Sequence, residues 1–198
     1  MKILCKSLGG SHAYGLNTPE SDIDYRGVFV NTEINKVIGL DRFEHQDIKR
    51  EEEDSFYFEV RHFLCSLRKT NTMVIELLFT DNFISTSDEW ELIKANRFGL
   101  LDSNKFYKSL KGYIFGERRL VNGERSGKLG GKRKAALDEY GYSPKNAVQC
   151  LRLAWAGAHF FRECVFPVYI PMFNSDIAEQ LKRIKIRPDN IKKKTLIY

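Results

Sequence analysis

The chain has 198 residues, 42% hydrophobic and 29% charged, with a net charge of +6, a composition that excludes an intrinsically disordered chain and suits one large domain or a domain with a helical extension. No apolar run approaches the roughly 20 residues of a membrane-spanning helix, and the start Met1-Lys2-Ile3-Leu4-Cys5-Lys6 lacks a secretory hydrophobic region. The expectation is a cytoplasmic protein (host cytoplasm if a phage encodes it) with no membrane partner.

Ile3 to Leu8 is predicted as a buried strand ended by the turn Gly9-Gly10-Ser11, and Asn17 to Ser21 as a turn. Ile23 to Val30 is a second strand, rich in Tyr, Val and Phe. Residues 41–54 are polar, a loop or the solvent-facing part of a hairpin, and Ser55 to Phe58 is a third strand. Val60, Phe63, Leu64 and Leu67 follow helical spacing. A short helix is expected over Asn71–Phe79, and Thr86 with Glu89 forms a capping box for a helix to about Arg97. Phe106, Leu110, Tyr113 and Ile114 predict another helix, capped by Asp102 or Ser103. Residues 118–134, with seven Lys/Arg, four Gly and one acidic residue, predict a mobile basic loop. Ser143-Pro144 starts a helix to about Cys164, its core face at Ala147, Leu151, Ala154, Trp155 and Ala158. Cys5, Cys65, Cys150 and Cys164 form no CxxC pair and are expected as buried thiols.

Charge divides unevenly: residues 1–60 carry −5 and residues 61–198 carry +11. This suggests an acidic centre early in the chain and a polyanion-facing surface later, or basic side chains merely spread over solvated faces. The early acids include Asp22-Ile23-Asp24, separated from Gly10-Ser11 by ten residues. On a strand, residues i and i+2 share a face, so the two carboxylates project together. They repel unless a cation neutralises them, and hard oxygen donors suit Mg²⁺ or Mn²⁺. A Gly-Gly-Ser turn nearby offers backbone N–H groups and a hydroxyl to phosphate oxygens. Each part alone is commonplace; together they are the parts of metal-assisted phosphoryl or nucleotidyl transfer.

The run Gly10-Ser11-His12-Ala13-Tyr14-Gly15 through Ser21-Asp22-Ile23-Asp24-Tyr25-Arg26-Gly27-Val28 resembles the signature of DNA polymerase β-superfamily nucleotidyltransferases. Three later segments extend the likeness, Asp54 to Phe63, Asn71 to Phe79 and Tyr142 to Leu153. They are similar to the nucleotidyltransferases grouped with RNA-repair, RNA-ligase-associated proteins of bacteria and phages. The resemblance implies an α/β (α+β) nucleotidyltransferase fold, a small mixed sheet flanked by helices. Residues 1–100 would be the catalytic core, and residues 101–198 a helical region with the basic loop 118–134 and a basic tail at 182–194.

It further implies a carboxylate triad holding two Mg²⁺ (or Mn²⁺) ions. Asp22 and Asp24 map directly; Asp54 is favoured as the third over Glu59, which sits nearer a helix start. Gly10 and Ser11 would hold the phosphate tail of the NTP. Lys145, Gln149 and Arg152 lie at i, i+4 and i+7, with His159 continuing the stripe. Lys145 and Arg152 are candidate phosphate ligands, against the alternative of a solvated face. Relatives often carry His where this chain has Gln149, which bears no charge. His12 is expected to be structural or exposed, Arg26 to contact phosphate or a carboxylate, and Tyr14 and Tyr25 to be core unless they stack on a base.

The implied activity is transfer of a nucleoside monophosphate from an NTP to an RNA end, the basic loop and tail meeting RNA phosphates. Alternatives are AMP-type transfer to a protein hydroxyl, as small antitoxin members of the superfamily do, and a non-catalytic nucleotide-binding or nucleic-acid-binding module. The chain starts almost at its first strand, without the helix many relatives place ahead of it. Its tail lacks a stop signal, as in a truncated chain or one completed by a partner. Sequence leaves the NTP, the acceptor and the oligomeric state open.

Overall fold

A computed structural model describes residues 1–38, 46–50, 53–124, 131–186 and 188. Five strands, Lys2–Leu8 (β1), Asp24–Val30 (β2), Gln46–Arg50 (β3), Glu53–Glu59 (β4) and Phe83–Thr86 (β5), form one mixed sheet in the order β3-β4-β2-β1-β5. β2 and β4 run parallel; the other three pairings are antiparallel. In β2 the consecutive residues Val28 and Phe29 are both buried, as a strand covered on both faces requires. The polar stretch before Ser55 forms the β3–β4 hairpin, the second of its two alternatives, with residues 39–45 and 51–52 outside the described residues.

The first helix, Gly10–Tyr14 (α1), begins inside the expected turn and ends at Gly15, in the left-handed conformation. There Pro171 would lie 2.6 Å from a Cβ, so any side chain would collide. After Ile34–Val37 (α2) come Val60–Arg68 (α3) and Thr72–Phe79 (α4), capped by Glu59 and Asn71. Phe63 and Leu67 of the predicted α3 stripe are buried, and Val60 and Leu64 pack beside them.

Thr86 belongs to β5, which sequence reading missed, so the helix Asp88–Ala95 (α5) is capped by Ser87 instead. Glu89 pairs with Lys2. Arg97–Leu100 (α6) precedes Ser103–Val121 (α7), capped by Asp102.

The basic stretch 118–134 is not one loop. Its first residues end α7 and its last begin Gly131–Tyr140 (α8), with 125–130 outside the described residues. The expectation weighed the Gly content and missed that Gly131 opens a run of helix formers. Pro144–Glu163 (α9) starts after Ser143 as predicted. Its buried face is Ala147, Leu153, Ala156, Gly157 and Phe160, while Ala154 and Ala158 are exposed. Alanine fits either face, so the predicted face was rotated. Ile170–Phe173 (α10) and Ser175–Ile186 (α11) follow, and α11 takes up the start of the basic tail; of 187–198 only residue 188 is described.

Two apolar clusters hold the fold. The larger joins Leu4, Cys5 and Val28 of the sheet to Leu78 of α4 and to Phe106, Leu153 and Phe160 of α7 and α9. In the smaller, Leu16 sits among Val121, Tyr142, Ile170, Leu181 and Ile184. Of the cysteines only Cys5 is buried, its thiol pKa pushed up by that burial; Cys65 and Cys164 are exposed. Cys164 is surface because α9 ends there, at a φ of 56°. Among the described residues no helix is long and apolar enough to cross a membrane. The result is a mixed α+β architecture compatible with the expected nucleotidyltransferase fold.

Candidate active site

The parallel register places Asp24, the first residue of β2, opposite Asp54 of β4. Paired residues on adjacent strands project to the same face from backbones about 4.8 Å apart. Asp24 is half-buried and Asp54 exposed. Glu59 pairs with Phe29 at the other end of β4, five residues or roughly 16 Å along the strand. There its Oε2 accepts the backbone N–H groups of Arg61 at 2.8 Å and His62 at 3.3 Å, at the start of α3. Burial and capping commit Glu59 to the helix. Asp22 lies in the loop before β2 and is exposed, so the D-x-D does not sit wholly on a strand.

The Gly9-Gly10 turn is held against Asp24. The Gly9 N–H donates to the Asp24 carbonyl at 2.7 Å. Gly10 has a φ of 55°, and a Cβ there would stand 2.1 Å from Asp24 Oδ2. Only glycine gives both that backbone conformation and that approach. Ser11 follows in α1, half-buried. His12 Nε2 lies 3.4 Å from the Ser21 carbonyl and ties α1 to the loop carrying Asp22, a structural place.

That loop is fastened from a second side, which sequence reading missed. Lys185 of α11 donates to the Leu16 carbonyl at 3.2 Å and to Ser21 Oγ at 3.1 Å. Its pKa is lowered, first by burial and then by the charge of Lys145, against the pull of Glu20. Lys145 is exposed at the start of α9, so two lysines stand near the segment leading to Asp22.

The predicted α9 stripe divides. Arg152 is fully buried; its Nη2 meets Glu76 Oε1 at 2.6 Å, and its guanidinium lies 3.7 Å above the Tyr14 ring. Burial is the largest single influence and works against that charge, but Glu76, joined by Tyr14 and Tyr113, outweighs it and the Arg152 pKa is raised. Tyr14 donates to the other Glu76 oxygen at 2.7 Å, and burial pushes its own pKa up. Gln149 accepts from Arg152 at 3.1 and 3.0 Å. His159 turns elsewhere, stacking on Trp155 and meeting Phe173 edge-on. Glu76 is the signal that was passed over: a lone charge in the apolar run Met73–Phe79 needs a buried partner. Tyr25 is half-buried under Lys6, 4.1 Å from its ring.

Beside the turn opens a cavity of about 640 Å³. Ser7, Gly9, Gly10 and Arg26 line it on the sheet side, while Lys69, Asn71, Glu76, Tyr113 and Gln149 line its helical wall. Ser7 pairs with Arg26, so both sit on the sheet face that carries Asp24 and Asp54. Arg26 donates to the Tyr25 carbonyl at 2.8 Å. Thr70, between α3 and α4, has a φ of 56°, uncommon for a β-branched residue. Ser109 donates to its carbonyl at 3.0 Å, and the turn so held presents Lys69 and Asn71 to the cavity.

Among the described residues no three His, Cys, Asp or Glu side chains converge into a ready metal cage. The donor chemistry nonetheless fits a hard divalent cation. Asp24 and Asp54 are register partners with accessible carboxylates, and Asp22 is two residues away on the loop.

A model of the RNA repair pathway DNA polymerase beta family, RlaP, matches residues 1–191. The chain is also 26% identical, over 126 residues, to a 38.9 kDa protein of Enterobacteria phage T4 encoded in the nrdC–mobD intergenic region. That match takes in 58% of this chain and 37% of the phage protein, so the chain spans little more than a third of that relative.

Proposed function

We propose that this chain, which belongs to the RNA repair pathway DNA polymerase β family, is a metal-dependent nucleotidyltransferase that moves a nucleoside monophosphate from an NTP to an RNA end. The observation that carries this is the Asp24–Asp54 pairing beside the Gly9-Gly10 turn, on one sheet face with an open cavity. Family membership supports nucleotidyl-transfer chemistry.

Asp24 and Asp54, with Asp22 from its loop, would hold Mg²⁺ or Mn²⁺. A bound cation of this kind neutralises phosphate charge and lowers the pKa of a coordinated hydroxyl. Gly10 and Ser11 receive the phosphate tail on backbone N–H groups and a hydroxyl. Lys145 and Lys185 add positive charge beside the Asp22 loop. Arg152 acts from behind the cavity wall, fixing Glu76, Gln149 and Tyr14. The acceptor oxygen bonds to the α-phosphorus, and the α–β phosphoanhydride bond breaks. Pyrophosphate leaves with the bonding electron pair, and the hydroxyl proton passes to a carboxylate, for which Asp54 is the exposed candidate.

Incubation with each α-labelled NTP, Mg²⁺ or Mn²⁺, and a mixture of RNA and protein acceptors tests this. Label in RNA that disappears in Asp24→Asn and Asp54→Asn supports the proposal. Label in protein moves the acceptor, and no label with a folded chain refutes the catalytic reading.

A further inference from the structure

The outer face of α7 combines charge with exposed aromatic rings. The helix carries five cations, Lys105, Lys108, Lys111, Arg118 and Arg119, and one acid, Glu117. Glu117 is buried, and its Oε2 accepts the Asn146 amide N–H at 2.7 Å. The five cations are all exposed. Lys105 pairs with Asp102 at the cap; among the described residues no ion pair engages the other four. Lys108, Lys111, Phe115, Arg118 and Arg119 fall at i, i+3, i+7, i+10 and i+11, one side of a helix. The buried Phe106, Leu110, Glu117 and Val121 take the opposite side.

Phe115 stands in the middle of the charged side and is 47% exposed; Tyr107, at its margin, is 52% exposed. Phe161 of α9, also exposed, meets Tyr107 edge-on at 5.6 Å. Arg118 lies 5.4 Å from the Phe115 ring and Lys111 5.9 Å from the Tyr107 ring. A protein-docking patch is depleted in lysine, with its aromatic anchors in a centre poor in charge. Rings interleaved with cations suit a polyanion with planar bases, its phosphates on the charges and its bases on the rings.

The same helix reaches the candidate active site. A Cβ at Gly112 or Gly116 would meet nothing within 4 Å, so this edge of α7 is open. A second cavity, of about 310 Å³, lies there and is lined by Gly112, Tyr113, Gly116 and Arg119. Tyr113 also lines the first cavity, beside the Gly9-Gly10 turn.

We propose that the exposed face of α7 binds single-stranded RNA and guides its end across Gly112 and Gly116 toward the first cavity. This rests on the RNA-end reading above and gives that acceptor its track. A duplex keeps its bases stacked on one another and engages the cations alone.

Fluorescence anisotropy of the full chain with a labelled, unstructured single-stranded RNA and with the matching RNA duplex, over a series of salt concentrations, tests the proposal. The single strand is expected to bind tighter than the duplex. Lys108→Gln/Lys111→Gln removes two phosphate contacts and is expected to flatten the slope of log affinity against log salt by about 1.4. Phe115→Ala is expected to weaken binding about fivefold or more with that slope unchanged, and Phe115→Tyr to restore it. These positions are exposed, so circular dichroism should show wild-type folding; if one variant fails to fold, the other decides. Wild-type affinity and slope in the folded variants, or a duplex bound as tightly as the single strand, overturn this surface and leave the RNA-end reading standing. A wild-type chain that binds no single strand overturns both.

Discussion

Removing Glu76 strands a charge. The Arg152 side chain is 0% exposed and that of Glu76 12%, with 2.6 Å between their atoms. Burial at this depth makes the ion pair costly to form and far costlier to break, because the surviving guanidinium has neither water nor counter-charge. Loss of one partner of such a pair costs about 3–5 kcal/mol. Against a typical domain stability of about 5–15 kcal/mol that is a large share, and at this chain length it lowers Tm by roughly 6–20 °C. Glu76→Leu is therefore expected to shift urea unfolding, followed by circular dichroism and by tryptophan fluorescence, by that amount. The double variant Glu76→Leu/Arg152→Met removes both charges and should recover more than half of the loss. Recovery stays incomplete because Gln149 Oε1 then loses its two donors. A Glu76→Leu chain within about 0.5 kcal/mol of wild type, or a double variant no better than the single, would refute the account of Arg152 as a buried, compensated charge.

Asp54→Asn should fold as wild type yet lose about a hundredfold or more in transfer rate, whereas Glu59→Ala should keep transfer and lose about 1 kcal/mol of stability as α3 loses its cap; the opposite pattern in the labelling assay would reverse the two assignments. Gly10→Ala faces a positive φ and the Asp24 carboxylate together, so a loss of about 1–3 kcal/mol is expected in a thermal melt, with transfer impaired. Glu89 has its pKa lowered from 4.5 to about 2 by Lys2 and Ser87. A depressed carboxylate stabilises the fold above its unfolded value, and here that contribution fades as pH falls from 4.5 toward 2. A carbon-detected NMR titration showing Glu89 at an ordinary value would contradict the Lys2 pairing. Lys185→Met should speed amide exchange at residues 16–21 while the sheet stays protected; unchanged exchange there would show that Lys185 does not fasten the loop.

Much of the candidate site's layout was legible because its elements are local. A strand, a glycine turn and a D-x-D lie within the 22 residues from Ile3 to Asp24, and helix starts such as Ser143-Pro144 carry their own signals. Asp54 was favoured over Glu59 from sequence, and strand register sets it beside Asp24. What stayed hidden depends on partners far away in the chain. The cap at Ser87 was displaced by one residue because β5 had not been recognised, and a four-residue strand gains its stability from pairing with β1, not from its own pattern. Arg152 matched a phosphate ligand by spacing, but Glu76 lies 76 residues away, and no periodicity announces such a pair. Lys185 looked like part of a basic tail because only tertiary packing brings it to Ser21.

The fastening of Leu16 by Lys185 joins residues 169 apart, and Ile170, Leu181 and Ile184 close over the same leucine. At roughly 5–20 residues per second of synthesis, the clasp trails the loop it holds by about 8–34 s. Throughout that interval a nascent chain carries its whole D-x-D motif with the loop still unfastened. Assembly of the Asp22 loop is therefore timed by the emergence of α11, and a chain stopped short of α11 would be born with its carboxylates but without the hand that steadies them.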